Sequence, residues 1–150
     1  IELAGALGET IELFEKDRTS RRRIVLNKKF LPNIWVKMDV IHLRQILWNL
    51  LLNAAEAIDG KGGIDIKMIP AKNRCINIQI SDNGCGISDD AIHSIFDPFY
   101  TTKPNGTGLG LSIVHRILEY YNTWLEVDSV SGKGTTVTVK LEQMNPAASS

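Results

Sequence analysis

At 150 residues, with 43% hydrophobic and 23% charged side chains, the chain has the length and composition of one domain with a real core. Seventeen basic residues balance seventeen acidic ones, so net charge gives no footing for nucleic acid or an anionic membrane surface. No apolar run approaches the roughly 20 residues that cross a bilayer, and Cys75 and Cys85 suggest neither a zinc site nor a disulfide framework, which fits a reducing compartment.

The N-terminus has no signal-peptide pattern and opens on helix-like sequence without Met, as expected of a fragment cut from a longer protein. Residues 2–17 read as an amphipathic helix, with Leu3, Leu7, Ile11 and Phe14 at spacings of three and four. Gly5 and Gly8 weaken it. The basic run Arg18, Arg21, Arg22 and Arg23 follows, and reads as solvated cations favourable to a helix C-terminus. Strands are expected over 23–30, where Ile24 and Leu26 alternate, and over 34–38, with Pro32 and Asn33 as the turn between them. Asp39 can cap a long helix running to about Ile58, which the glycine-rich run 59–63 would end.

Ile64, Ile66 and Met68, then Ile76, Ile78 and Ile80, alternate as the arms of a hairpin turning at 71–74. A short helix is expected over 88–95. A glycine-rich loop and a helix follow, then a second hairpin of 124–128 and 135–141 across Ser131-Gly132-Lys133-Gly134. Residues 1–144 form the expected domain, and 145–150, NPAASS, a disordered polar tail. Hairpins with helices between them predict an α+β fold: a two-layer sandwich, with a mixed, mostly antiparallel sheet and helices on one face.

Three stretches carry chemistry. FDPFYTTKPNGTGLGLSI, residues 96–113, sets Gly106, Gly108 and Gly110 at alternate positions before an apolar helix. Bare backbone leading into a helix N-terminus suits an anion such as phosphate. The spacing fits neither a P-loop nor a Rossmann fingerprint, because no Gly-Lys-Ser/Thr occurs and the third glycine comes one residue early. In the helix from residue 39, Asn49, Asn53 and Glu56 form one polar stripe in an otherwise apolar ILWNLLLNAAEAI. Asn costs roughly half a kcal/mol against good helix formers, and its amide oxygen can hold Mg²⁺, which shares its shell with phosphates. Finally, Asp82-Asn83-Gly84-Cys85-Gly86-Ile87 ends a strand, where a carboxylate can accept from the exocyclic amine of an adenine.

Together and in this order, these stretches resemble the ATP-binding domain of two-component sensor histidine kinases, in the superfamily shared with gyrase, mismatch-repair and heat-shock chaperone ATPases. The resemblance covers nearly the whole chain. NLLLNAAEAI is similar to that family's N box, DNGCGI to its first glycine box, IFDPFYTTK to its F box, GTGLGLSIV to its second glycine box and GKGTTVTV to its closing hairpin. It implies the Bergerat ATP-binding fold, with ATP and Mg²⁺ as cofactors. Asn53 would be the metal ligand, supported by Asn49. Asp82 would read the adenine amino group, Gly84 and Gly86 would shape the base pocket beside Ile87, and Phe96 and Phe99 would anchor the lid. Gly106, Gly108 and Gly110, with Thr107 and Leu109 between them, would wrap the phosphates, and Thr135 would reach the base through water.

The sequence departs from the family pattern where a lysine often stands three residues after the metal-binding Asn; here it is Glu56, and Ala57 replaces a common aromatic. The phosphate cation expected instead is Lys103, in Thr101-Thr102-Lys103. Six residues separate Phe99 from Gly106, a compact lid like that of the nitrogen-regulation sensor. The resemblance implies transfer of a γ-phosphoryl group to a histidine. The competing readings within the superfamily are an ATP-gated clamp or a serine kinase, which place Glu where this chain has Asn49, and a nucleotide sensor without transfer, which intact boxes disfavour. His42, His93 and His115 lack the H-E-x-x-N-P setting of an acceptor. The expected partners are therefore the protein's own dimerisation and phosphoacceptor domain, in a homodimeric parent, and a downstream response-regulator receiver domain. The domain is expected in the cytoplasm without membrane contact of its own, whether or not its parent is membrane-bound.

Overall fold

The computed structural model describes residues 1–17, 23–58, 61–84, 110–130 and 132–144. Their elements run α1 (Leu3–Asp17), β1 (Arg23–Lys29), α2 (Val40–Ala57), β2 (Lys61–Ala71), β3 (Cys75–Asp82), α3 (Gly110–Tyr120), β4 (Leu125–Val130) and β5 (Gly134–Glu142). The expected helix over 88–95 and the tail 145–150 lie outside the described residues.

α1 buries the stripe its spacing predicts: Leu3, Leu7, Ile11 and Phe14 are fully buried. Burying four large apolar side chains stabilises by about 1.5–3 kcal/mol each, which outweighs about 1 kcal/mol for each mid-helix glycine. The Glu2 carboxylate accepts from the Gly5 N–H at 2.9 Å, so the first turn is held by a side chain. Phe14 meets Trp48 of α2 edge to face at 5.4 Å. α2 begins at Asp39, whose carboxylate accepts from the Ile41 N–H at 2.8 Å. Its core face is Leu43, Ile46, Leu47, Leu50, Leu51, Ala54 and Ala55.

The five strands form one sheet in the order β1-β2-β3-β5-β4. β1 runs parallel to β2, and every other pairing is antiparallel. A parallel pair needs a crossover connection, and α2 lies in it. Ile64, Ile66 and Met68 on β2 and Ile76, Ile78 and Ile80 on β3 are buried, while their alternate neighbours are half-buried or exposed. α2 packs on β2, β3 and β5, and α1 and α3 flank α2. The fold is α+β, a mixed sheet with its helices on one face.

Two expectations are corrected. Residues 34–38 form no strand: Trp35 and Val36 make only isolated bridges, to Glu2 and Gln143. Their partners are two short segments from opposite ends of the chain, too brief for a ladder. Val36 N–H donates to the Ile1 carbonyl at 3.0 Å and Met144 N–H to the Trp35 carbonyl at 2.8 Å. Nor do Gly62 and Gly63 end the helix; they already belong to β2. Gly62 is small because a Cβ there would lie 2.6 Å from Ile58 Cγ2 and 2.7 Å from Asn83 Oδ1.

Candidate functional site

The expected site residues Asn53, Asp82 and Gly84 fall where α2 ends over the exit of β3. Gly84 leaves β3 directly under α2, so close that a Cβ on it would lie 2.5 Å from the Ala57 carbonyl oxygen and 2.8 Å from Ala57 Cβ. The packing of the helix alone therefore requires a glycine here. Asp82 precedes it, half-buried, with one carboxylate oxygen accepting from the Gly84 N–H at 2.9 Å. Asn83 Oδ1 accepts from the Gly63 N–H at 3.0 Å and ties the same turn to β2.

Asp82 and Thr135 stand directly opposite each other across β3 and β5. Ile80 and Val137, then Ile78 and Val139, follow in the same register, so period-two alternation puts Asp82 and Thr135 on the helix-covered face. Gly134 permits the approach, with φ of 132° and no room for a Cβ, which would fall 2.1 Å from the Asp82 carbonyl oxygen. The Thr135 hydroxyl is engaged with Ser129 Oγ at 2.8 Å.

Asn53 lies one turn before Ala57, and Asn49 one turn earlier; both are half-buried, whereas Glu56 is exposed. Asn49 also borders an open groove of about 410 Å³ shared by Leu13 of α1, Trp48 of α2 and Ile113 of α3. A larger cavity, about 570 Å³, opens beside Cys75 at the other end of β3 and contains none of the expected site residues. Gly110 opens α3. Gly86, Ile87, Phe96, Phe99, Thr101, Thr102, Lys103, Gly106, Thr107, Gly108 and Leu109 lie outside the described residues.

Among the described residues, no cluster of three or more His, Cys, Asp or Glu side chains could hold a metal ion. A Mg²⁺ ion that takes one amide oxygen together with phosphate oxygens and water needs no such cluster, and Asn53 fits that donor set. His42 and His115 are occupied structurally: His42 packs against Tyr120 and Tyr121, and His115 Nδ1 lies 3.1 Å from the Glu119 carboxylate. His93 lies outside the described residues.

A one-faced mixed sheet, with a long helix ending over an Asp-bearing strand exit, defines an ATPase domain of the histidine-kinase class. The model of the histidine kinase-, DNA gyrase B- and HSP90-like ATPase family matches residues 38–145. The chain belongs to this family. It is 37% identical over 144 residues to the sensor histidine kinase ZraS of Escherichia coli K12, a match covering 94% of this chain and 30% of ZraS. The catalytic domain of histidine kinase ThkA superposes with a TM-score of 0.83 at 27% identity, covering 95% of this chain and 93% of that one. Full-length ShkA, solved in complex with AMPPNP, superposes with a TM-score of 0.84 at 26% identity, covering 97% of this chain and 31% of ShkA. Among the described residues no helix is long and apolar enough to cross a membrane.

Proposed function

We propose that this domain binds Mg–ATP between α2 and the exit of β3 and passes the γ-phosphoryl group to a histidine on a separate dimerisation and phosphoacceptor domain. A response-regulator receiver domain takes the group onward. In this reading Asp82 accepts from the adenine amino group, Thr135 approaches the base through water, and Asn53 supplies an amide oxygen to the metal. Gly106, Gly108 and Gly110 wrap the triphosphate, and Lys103 brings the cation that Glu56 does not. The naming of ZraS as a sensor histidine kinase and the AMPPNP complex of ShkA support the class of reaction and of nucleotide.

The observation that carries transfer over hydrolysis is Asn49. It stands one turn from Asn53 on the same half-buried stripe, where a carboxylate would serve as general base for water or a hydroxyl. An amide accepts no proton at neutral pH. A neutral imidazole is already nucleophilic: its nitrogen attacks the γ-phosphorus, the new N–P bond forms as the bridging P–O bond breaks, and ADP leaves with the electron pair. Positioning and charge stabilisation are then most of what the domain must provide. Bound Mg²⁺ would cancel part of the phosphate charge.

Incubation with γ-labelled ATP tests this. The chain alone should take up no acid-labile phosphate, and should label a phosphoacceptor domain from its parent supplied as a second polypeptide. Labelling of His42, His93 or His115 in the isolated chain would contradict the reading.

A further inference from the structure

The cap of α2 and the cap of α3 are bonded to each other at the end of the helix pair opposite the site. Asp39, the N-cap of α2, donates its backbone N–H to the Tyr121 hydroxyl at 3.0 Å. Tyr121 follows the last residue of α3, and the helix is closed around it. Thr123 N–H reaches back to the Leu118 carbonyl and Asn122 N–H to that of Glu119, each at 3.0 Å, with Asn122 left-handed at φ 57°. The same hydroxyl lies 2.6 Å from Nδ1 of His42, in the first turn of α2. An oxygen that accepts from Asp39 can give its own proton to Nδ1, which leaves the imidazole proton on Nε2. The rings reinforce this contact, with His42 edge to face on Tyr121 at 5.5 Å and on Tyr120 at 5.9 Å.

α2 and α3 run antiparallel, since His42 meets Tyr121 at one end while Asn49 and Ile113 border one groove further along. Asn53 lies eleven residues along α2 from His42, and Gly110 eleven residues back along α3 from Tyr121. At 1.5 Å per residue both are about 16 Å from the contact between His42 and Tyr121. The amide on α2 and the first turn of α3 therefore come level.

We infer that Tyr121 and His42 are positioning residues, which set the register of α2 against α3 so that Asn53 and the N-terminal turn of α3 address the same triphosphate. The inference rests on the metal role proposed for Asn53. It predicts a selective defect. Asp82 stands on the sheet, and its turn is tied to β2 by the bond from the Gly63 N–H to Asn83 Oδ1 rather than by the caps. Loosening the caps should reduce what Mg²⁺ adds to ATP binding and leave metal-free binding alone.

The test is calorimetric titration of ATP into the whole chain, with Mg²⁺ and with EDTA, at a temperature well below melting. In Tyr121→Phe, which keeps the ring and removes the hydroxyl, the Mg²⁺-dependent gain in affinity should fall about three- to tenfold, the worth of one hydrogen bond. The EDTA affinity should not change. His42→Leu should behave alike, and His42→Gln, whose amide oxygen can still accept from Tyr121, should recover most of the gain. A contact that merely stabilises the fold would lower the melting temperature and leave the ratio of the two affinities untouched, and that result overturns the inference. An equal loss in both buffers overturns it too. The reading of the site fails separately: if Asn53→Ala keeps the whole Mg²⁺-dependent gain, the metal role is wrong whatever Tyr121→Phe does. Should Tyr121→Phe fail to fold, the two His42 variants decide the question.

Discussion

At the scale of single residues, Asp82 and Gly84 show two kinds of legibility. A carboxylate at the end of an alternating strand is readable from sequence, because the strand's period fixes which face it takes, and Asp82 does face the helices beside Thr135. A glycine two residues on is readable as a glycine but not as to cause. Only the fold shows that Ala57, far off in the chain, comes within 2.5 Å of where its Cβ would stand. The role proposed for Asp82 rests on its charge. Asp82→Asn keeps the shape and replaces a charged acceptor by an amide, and should weaken ATP binding by about 1.5–3 kcal/mol. Calorimetry on the folded variant checks this, and unchanged affinity would remove the adenine assignment.

Among elements, those with strong periodicity were legible. The four buried side chains of α1, the Asp39 cap and both hairpins stand where spacing and turn residues place them. The pairing of β1 with β2 was not, because a parallel neighbour carries no local turn signal and depends on α2 packing across the sheet. Residues 34–38 misled for a related reason: an apolar segment after a turn shows that it can pair, not that a partner of sufficient length exists. The Asp39 cap makes a separable claim about α2. Asp39→Ala removes the acceptor for the Ile41 N–H while its own backbone bond to Tyr121 survives. It should cost about 1 kcal/mol, seen as a lower urea midpoint with an unchanged slope.

For the whole molecule, the chain spans about 30% of the length of ZraS, and in the function proposed above it binds and positions the nucleotide for a second domain. Binding alone is measurable as stability. A ligand that binds only the folded state, present at a hundred times its dissociation constant, adds about 2.7 kcal/mol, which for a domain of this size raises the melting temperature by roughly 5–10 °C. Mg–ATP should produce that shift in the unmodified chain and much less in Asn53→Ala. The absence of any shift at saturating nucleotide would contradict ATP binding. The expected lid was legible only as motif, and 85–109 lie outside the described residues.

The seam at Trp35 and Val36 has a topological consequence. Ile1 and Met144 bond to those two adjacent residues, so the described chain is nearly a ring, open at one point on its rim. Joining Met144 to Ile1 by a short bridge would close it at small entropic cost, because the two ends flank one short segment, about two strand spacings (about 10 Å) apart. New ends could then be cut at the Lys72–Arg74 turn, where Asn73 and Arg74 already take left-handed φ of 61° and 59° outside the paired registers of β2 and β3. The permuted chain would keep both layers and every strand neighbour, and would thread the candidate site in a different order.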